Sequence, residues 1–386
     1  MLVRGRISVA GAAGSAAKSA LAIAVRYGDR RRQFERPGRD GAPAEEVPVL
    51  DYLAHQRRLL PALAQTYALH FAQAELVASL HDLQADRLEA VAGAAAPAEH
   101  AVLDEADDRR QRELEARAAG LKAVATWHAT ATIQTCREAC GGAGYLAANR
   151  LPQLKADSDV FTTFEGDNTV LLQLVAKGLL TSYRDHVGEL DQFGLVRFVA
   201  DQVAEAIVER TAARALLDRL AAVTPGRDGE GDLRDRSWQR RMFADREEHL
   251  LEGVARRLRR ASKGDAFEVF NAAQPHLLAL ARAHVHRLVL EAFTAAILTC
   301  EDARAAELLD AVCDLYALAT IEAERAWYLE HGRLTPGRAK AVTRAVDDLC
   351  GELRPHAVTL VDAFAIPDSW LASNLTPPPA SSPGTL

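Results

Sequence analysis

A chain of 386 residues with 46 basic and 53 acidic side chains, a formal charge of -7 spread without a basic block, exceeds the usual single-domain size and carries no nucleic-acid footprint. Five cysteines, Cys136, Cys140, Cys300, Cys313 and Cys350, form no CxxC pair and are odd in number, which fits a reducing compartment, the cytoplasm by default, better than a disulfide framework. No stretch of about 18 uninterrupted apolar residues occurs, and the alanine-rich N-terminus has Lys18 within its apolar run and no clear cleavage site, so neither a membrane partner nor export is expected.

Alanine, leucine, arginine and glutamate dominate, and glycine and proline cluster at punctuation points, so the fold class is all-α, an antiparallel helical bundle. A first helix is expected from about Val9 to Arg31, ended by "ERPGRDGAPAEEVP". A second starts near Leu50 and passes Leu83. A third, with Leu114, Leu121, Val124 and His128 on one face, ends at Gly141. The Ala-rich and then charged run "QADRLEAVAGAAAPAEHAVLDEADDRRQRE" between them reads as a solvent-facing extension or loop. A helix with the stripe Val170, Leu171, Leu174, Val175 follows, then one carrying Leu195, Phe198, Val199, Val203, Ile207, Leu216 and Leu220, broken by "VTPGRDGEGDLRD". Three more are expected at Trp238 to Ala261, Phe267 to Cys300 and Ala303 to Glu330. Gly332 then supplies a stop, Thr335 an N-cap and Pro336 the N1 position of a last helix. The domains expected are 1–185 and 186–370, with a low-complexity tail, 371–386, that lacks a core.

Several motifs fail on inspection. "GAAGSAAKS" has Ala17 where a phosphate loop needs glycine before its lysine. "DSDVFTTFEGDN" has Phe161, Thr162 and Asn168 where a calcium loop needs a ligand, a glycine and a glutamate. His284 with His286, and Cys136 with Cys140, are explained by core packing, and no metal site is expected. Three stretches stay open. Glu165, at a helix entrance between Phe161, Phe164 and an apolar stripe, either caps the helix or does chemistry. "CGGAGY", Cys140 to Tyr145, is either a helix stop or backbone that a planar or phosphorylated ligand can approach. Arg30, Arg31 and Arg32 either complement a helix dipole or, with Phe34, form a diphosphate clamp and aromatic platform.

Taken together, "RYGDRRRQF", "TCREACGGAGYLAANRLP" and "DVFTTFEGDNTVLLQLVAKGLL", in this order and from about Leu2 to the end of the chain, resemble the C-terminal half of acyl-CoA oxidases, flavoenzymes of fatty-acid β-oxidation related to acyl-CoA dehydrogenases. The long helical extension after the glutamate segment favours the oxidase branch. The resemblance implies FAD as cofactor, acyl-CoA as substrate and conversion of acyl-CoA and oxygen to trans-2-enoyl-CoA and hydrogen peroxide. It casts Glu165 as the catalytic base, which chemistry supports, since an α-proton of a thioester needs a carboxylate in a dry pocket; Phe161 and Phe164 are the expected apolar wall. Arg31 and Phe34 are implied to reach the FAD of a neighbouring subunit and Gly141 and Gly142 its diphosphate, so that the site is built across a homodimer. Gly166 and Asp167 are implied to lie by the flavin of their own subunit, and Arg6 near the base and thioester.

Two departures stand out. Ala143 occupies a place where many oxidases have histidine, and the family normally carries an N-terminal helical domain and a β-barrel domain ahead of the segment that begins here at Met1. The chain is therefore expected to bind flavin poorly and to be inactive alone, needing a separate chain or an upstream extension that supplies those domains. The alternatives are a non-catalytic helical dimerisation or interaction module, and a dehydrogenase-type activity.

Overall fold

The computed structural model describes residues 2–37, 44–93, 105–187, 231–259 and 265–375. The fold is all-α, with one small two-stranded hairpin among the described residues. The expected helix face at Leu195 to Leu220, most of the loop after it, the middle of the Ala-rich run and the tail from 376 lie outside them.

Helix α1, Leu2–Arg30, buries Val3, Ile7, Ala10, Ala13, Ala17, Ala20, Leu21 and Ala24, a stripe at intervals of three and four. Among the described residues it is the one helix long and apolar enough to cross a membrane by composition, with mean hydropathy 1.4; half of that stretch is buried inside the protein, as in a core helix. Instead of a plain loop, Arg31 is followed by strands β1, Arg32–Arg36, and β2, Glu45–Pro48, paired antiparallel with a bulge between Arg32 and Glu35. Long helices α2, Leu53–Gly93, and α3, Glu105–Ala139, come next, and they take up both flanks of the run expected to be loop. Short α4, Leu151–Asp159, precedes α5, Asn168–Val187, which buries Leu171, Leu172, Leu174 and Val175 but leaves Val170 49% exposed.

Then come α6, Arg236–Leu258, and α7, Ala266–Leu298, which pack on each other, with α5 also on α7. Aspartates start these helices: Asp235 and Asp265 accept the first free N–H groups, as Asp302 does for α8, Ala303–Ala323. The expected single helix to Glu330 is divided at Glu324, where α9, Arg325–Glu330, begins. Gly332 has φ +65, Thr335 Oγ1 accepts from Arg338 N, and Pro336 opens α10, Pro336–Leu353. The chain continues into α11, Ala357–Asp362, and α12, Asp368–Leu371, and Leu371 and Ser373 are buried, so packing extends past the expected domain end at 370.

The chain forms two compact units built from interleaved segments. Unit one comprises Met1–Gly11, Ala68–Ala125 and Thr162–Glu301, and its core includes Phe71 against Phe293, ring centroids 4.9 Å apart. Unit two comprises Ala12–Tyr67, Thr126–Phe161 and Asp302–Leu386. There α8 packs on α10, and arginine forks tie distant segments: Arg26 to Asp362 and Asp368, Arg57 to Glu322 and Asp347, Arg354 to Asp29 and Asp51.

Candidate functional site

The predicted site residues fall into two groups, one in each unit. In unit one the turn Phe164 to Asn168 leads into α5. Asp167, not Glu165, caps that helix: its Oδ1 accepts from Thr169 N at 2.8 Å and Val170 N at 3.3 Å. Glu165 is thereby released from capping, and it sits at φ 57, a left-handed conformation that costs a non-glycine residue about 1–3 kcal/mol, followed by Gly166 at φ +111.

What holds this turn comes from far away in the sequence. Arg6 Nε, from the first turns of α1, donates to the Glu165 carbonyl at 3.2 Å. Lys122 Nζ, from α3, donates to the Gly166 carbonyl at 2.7 Å and to Asn168 Oδ1 at 3.0 Å, and Asn168 Nδ2 donates back to the Ala123 carbonyl at 3.2 Å. Two successive carbonyls, those of Glu165 and Gly166, are thus held by two cations, which pins the peptide planes on both sides of Gly166 and with them the winding of the turn that carries Glu165. That side chain lies directly against Gly5 of α1, where an added Cβ would fall 2.3 Å from Cδ and within 2.5 Å of both carboxylate oxygens. Oε2 of Glu165 is buried and has no hydrogen-bond partner among the described residues.

The electrostatics follow from this packing. Burial pushes the Lys122 ammonium down to about 8, with Asp167 and Glu165 opposing the shift and Arg6 adding to it. Burial also pushes the Arg6 guanidinium down, opposed by Glu115 and Glu165. The aromatic wall expected from Phe161 and Phe164 is not what shelters Glu165: Phe164 is 56% exposed, and Phe161 packs on Ala13, Ala17 and Ala129. The neighbours in sequence point elsewhere because the left-handed turn rotates Glu165 away from them. Sequence reasoning missed Gly5, Lys122 and Asn168; the one signal available was a lone lysine in the apolar run "AAGLKAVAT".

In unit two, Arg30 and Arg32 spend their side chains on the carbonyls of Arg26, Leu375 and Glu46. Arg31 is exposed, and its guanidinium has no partner among the described residues. Phe34, at φ 64 in the bulge, is 64% exposed and meets Tyr52 edge-on, centroids 6.1 Å apart, while Tyr52 Oη donates to its carbonyl. On another element, the turn after α3, Gly141 at φ +58 and Gly142 are exposed with nothing within 4 Å of a would-be Cβ. Gly144 differs: a Cβ there would lie 1.9 Å from the Arg137 carbonyl oxygen, so the turn must pack tightly against the end of α3. Cys136 and Cys140 are buried and free, His284 hydrogen-bonds Glu247 at 2.9 Å, and no group of three potential metal ligands occurs among the described residues.

The chain is similar to known proteins over most of its length. The acyl-CoA oxidase C-alpha1 domain model matches residues 1–180, and the acyl-CoA oxidase model matches residues 237–376. The peroxisomal acyl-coenzyme A oxidase 2 of Arabidopsis thaliana is 36% identical over 95% of this chain and 48% of its own length. Acyl-CoA oxidase 1 of Yarrowia lipolytica superposes with a TM-score of 0.80 at 28% identity, over 97% of this chain and 51% of its own. Acyl-CoA oxidase-1 of Caenorhabditis elegans, solved with FAD and ATP, shares the fold with a TM-score of 0.75 at 24% identity, over 97% of this chain and 51% of its own. The chain spans about half the length of the relatives it matches. With two matches covering both its halves and the glutamate turn within the first, the chain belongs to the acyl-CoA oxidase family, as its C-terminal helical portion.

Proposed function

We propose that the chain works as the C-terminal part of a flavin-dependent acyl-CoA oxidase, with Glu165 as the base that takes the α-proton of an acyl thioester. The observation that carries this reading is Oε2 of Glu165, buried and unclaimed by any donor among the described residues, on a turn anchored at the carbonyls of Glu165 and Gly166. An oxygen left without a donor in a buried place costs desolvation, and in return it stays unoccupied and basic toward a C–H proton. Arg6 is the substrate-binding residue, beside the thioester.

When bound, FAD supplies a two-electron acceptor that oxygen reoxidises, with peroxide as product. The residues fit such a group: Gly141 and Gly142 leave open backbone for a diphosphate, Arg31, without a partner among the described residues, supplies a cation, and exposed Phe34 a flat apolar surface. In this reading those four reach the FAD of a second copy, Gly166 and Asp167 face the flavin of their own copy, and the assembly is a homodimer. Along the sequence, 1–185 and 186–370 are its two domains, a division that the family matches at 1–180 and 237–376 support and that differs from the interleaved compact units, and the N-terminal and barrel domains come from further polypeptide, in this or a separate chain. The free cysteines support a reducing compartment, read here as cytoplasmic.

The test is to purify the chain alone and with a polypeptide carrying the family's N-terminal and barrel domains, then record the flavin spectrum and peroxide release with an acyl-CoA. Colour and peroxide in the mixture, with Glu165→Gln keeping colour and losing turnover, is the expected result. Wild-type turnover by Glu165→Gln discards the base. Turnover with an artificial acceptor but no peroxide favours a dehydrogenase, and neither colour nor turnover in any combination favours a helical interaction module.

A further inference from the structure

We propose that Lys122 is a positioning residue for Glu165, an inference that rests on reading Glu165 as the base: by holding the Gly166 carbonyl and Asn168 Oδ1 from α3, its ammonium keeps the turn wound so that the carboxylate stays in the notch at Gly5. Lys122 is fully buried in a helix whose neighbouring positions are Ala118, Ala119, Leu121, Ala123 and Ala125. Burying an ammonium costs free energy that an apolar side chain of the same length avoids, so filling space does not explain it. Two of its acceptors belong to the turn that carries Glu165. Asn168, itself 1% exposed, closes the loop by donating to the Ala123 carbonyl, one residue from Lys122 on the same helix.

The geometry makes the turn depend on this contact. Glu165 at φ 57 and Gly166 at φ +111 are conformations that a free chain leaves readily. Arg6 holds the carbonyl of residue 165, which sets the peptide plane that follows Glu165, and Lys122 holds the carbonyl of residue 166 and Asn168 Oδ1, which keeps Gly166 in its φ +111 conformation so that the preceding plane is not free to turn. At neutral pH the ammonium is cationic, since burial brings it down only to about 8.

The test reads the position of Glu165 without requiring catalysis. In chain labelled with 13C at glutamate side-chain carbons, the Glu165 carboxyl resonance is assigned from its loss in Glu165→Gln, then followed in Lys122→Met. The expected result is a helical circular dichroism spectrum like the wild type, with the Glu165 resonance moved to the chemical shift of the exposed glutamates. An unmoved resonance in folded Lys122→Met overturns the proposal. If Lys122→Met does not fold, Asn168→Ala, which keeps the lysine and removes one of its acceptors, is read by the same two outcomes; if neither folds, the lysine is structural and the proposal falls. In the reconstituted oxidase Lys122→Met should lower kcat roughly ten- to a hundredfold with little change in KM, as for a base displaced by about an ångström. Full turnover by Glu165→Gln would sink the reading of Glu165 as base while leaving the resonance measurement to decide the positioning.

Discussion

The carboxylate of Glu165 rests on the bare backbone of Gly5: a methyl group on Gly5 would lie 2.3 Å from its Cδ. Alanine is the better helix former by about 1 kcal/mol, so Gly5→Ala should hold or raise the melting temperature. The same methyl must push the carboxylate out of its notch, and peroxide release by the reconstituted oxidase should fall on the order of a hundredfold. Thermal melts and turnover of one variant therefore move in opposite directions. Unchanged turnover would mean that the observed carboxylate position is not the working one.

Gly142 and Gly144 separate a ligand surface from a packing constraint within one turn. A Cβ on exposed Gly142 meets nothing, so Gly142→Ala should leave the melting temperature within experimental error while weakening FAD retention in the reconstituted oxidase. Gly144→Ala puts a methyl 1.9 Å from the Arg137 carbonyl and should cost about 1–3 kcal/mol or more, read as a lowered melting temperature. Equal flavin retention in Gly142→Ala and wild type would take this turn out of the cofactor site.

Of the three successive arginines, Arg31 alone has a guanidinium without a partner among the described residues, since Arg30 and Arg32 bond backbone carbonyls. Arg31→Ala should change chain stability by less than about 0.5 kcal/mol. It should weaken FAD binding in a manner that added salt reproduces in the wild type, because a diphosphate contact at an exposed site is screened. A salt-independent loss would point to a different role.

The long helices were legible because their apolar residues recur at three and four, and the α10 start was legible because Thr335 and Pro336 carry its capping chemistry in their side chains. The hairpin was not: "RQFER" and "EEVP" are charged strands with no alternation, and its bulge depends on Phe34 adopting φ 64. Glu165 drew notice through its apolar neighbours, yet its surroundings are Gly5, Arg6 and Lys122, brought there by two other helices. Local sequence locates an unusual carboxylate; tertiary packing decides what touches it. A lysine in an alanine-rich helix reads as solvated unless the partner turn is known, which is why Lys122 stayed hidden.

Stability in acid should be governed by Glu247 of α6. Burial alone would raise its carboxyl, but His284 and the Arg287 guanidinium of α7 outweigh burial and hold it down to about 2, against an ordinary value of 4.5. A carboxylate depressed in the folded state binds its proton more readily when unfolded. Its contribution is therefore fully present above 4.5 and is lost as pH falls toward about 2. The size is on the order of 3 kcal/mol. Glu247→Gln keeps the shape but removes the charge that Arg287 faces, so it should destabilise the chain by a similar amount at neutral pH and flatten the fall in stability between pH 4.5 and 2. Denaturant unfolding of both proteins across that interval measures the difference, and parallel curves would show that another carboxylate sets the acid limit.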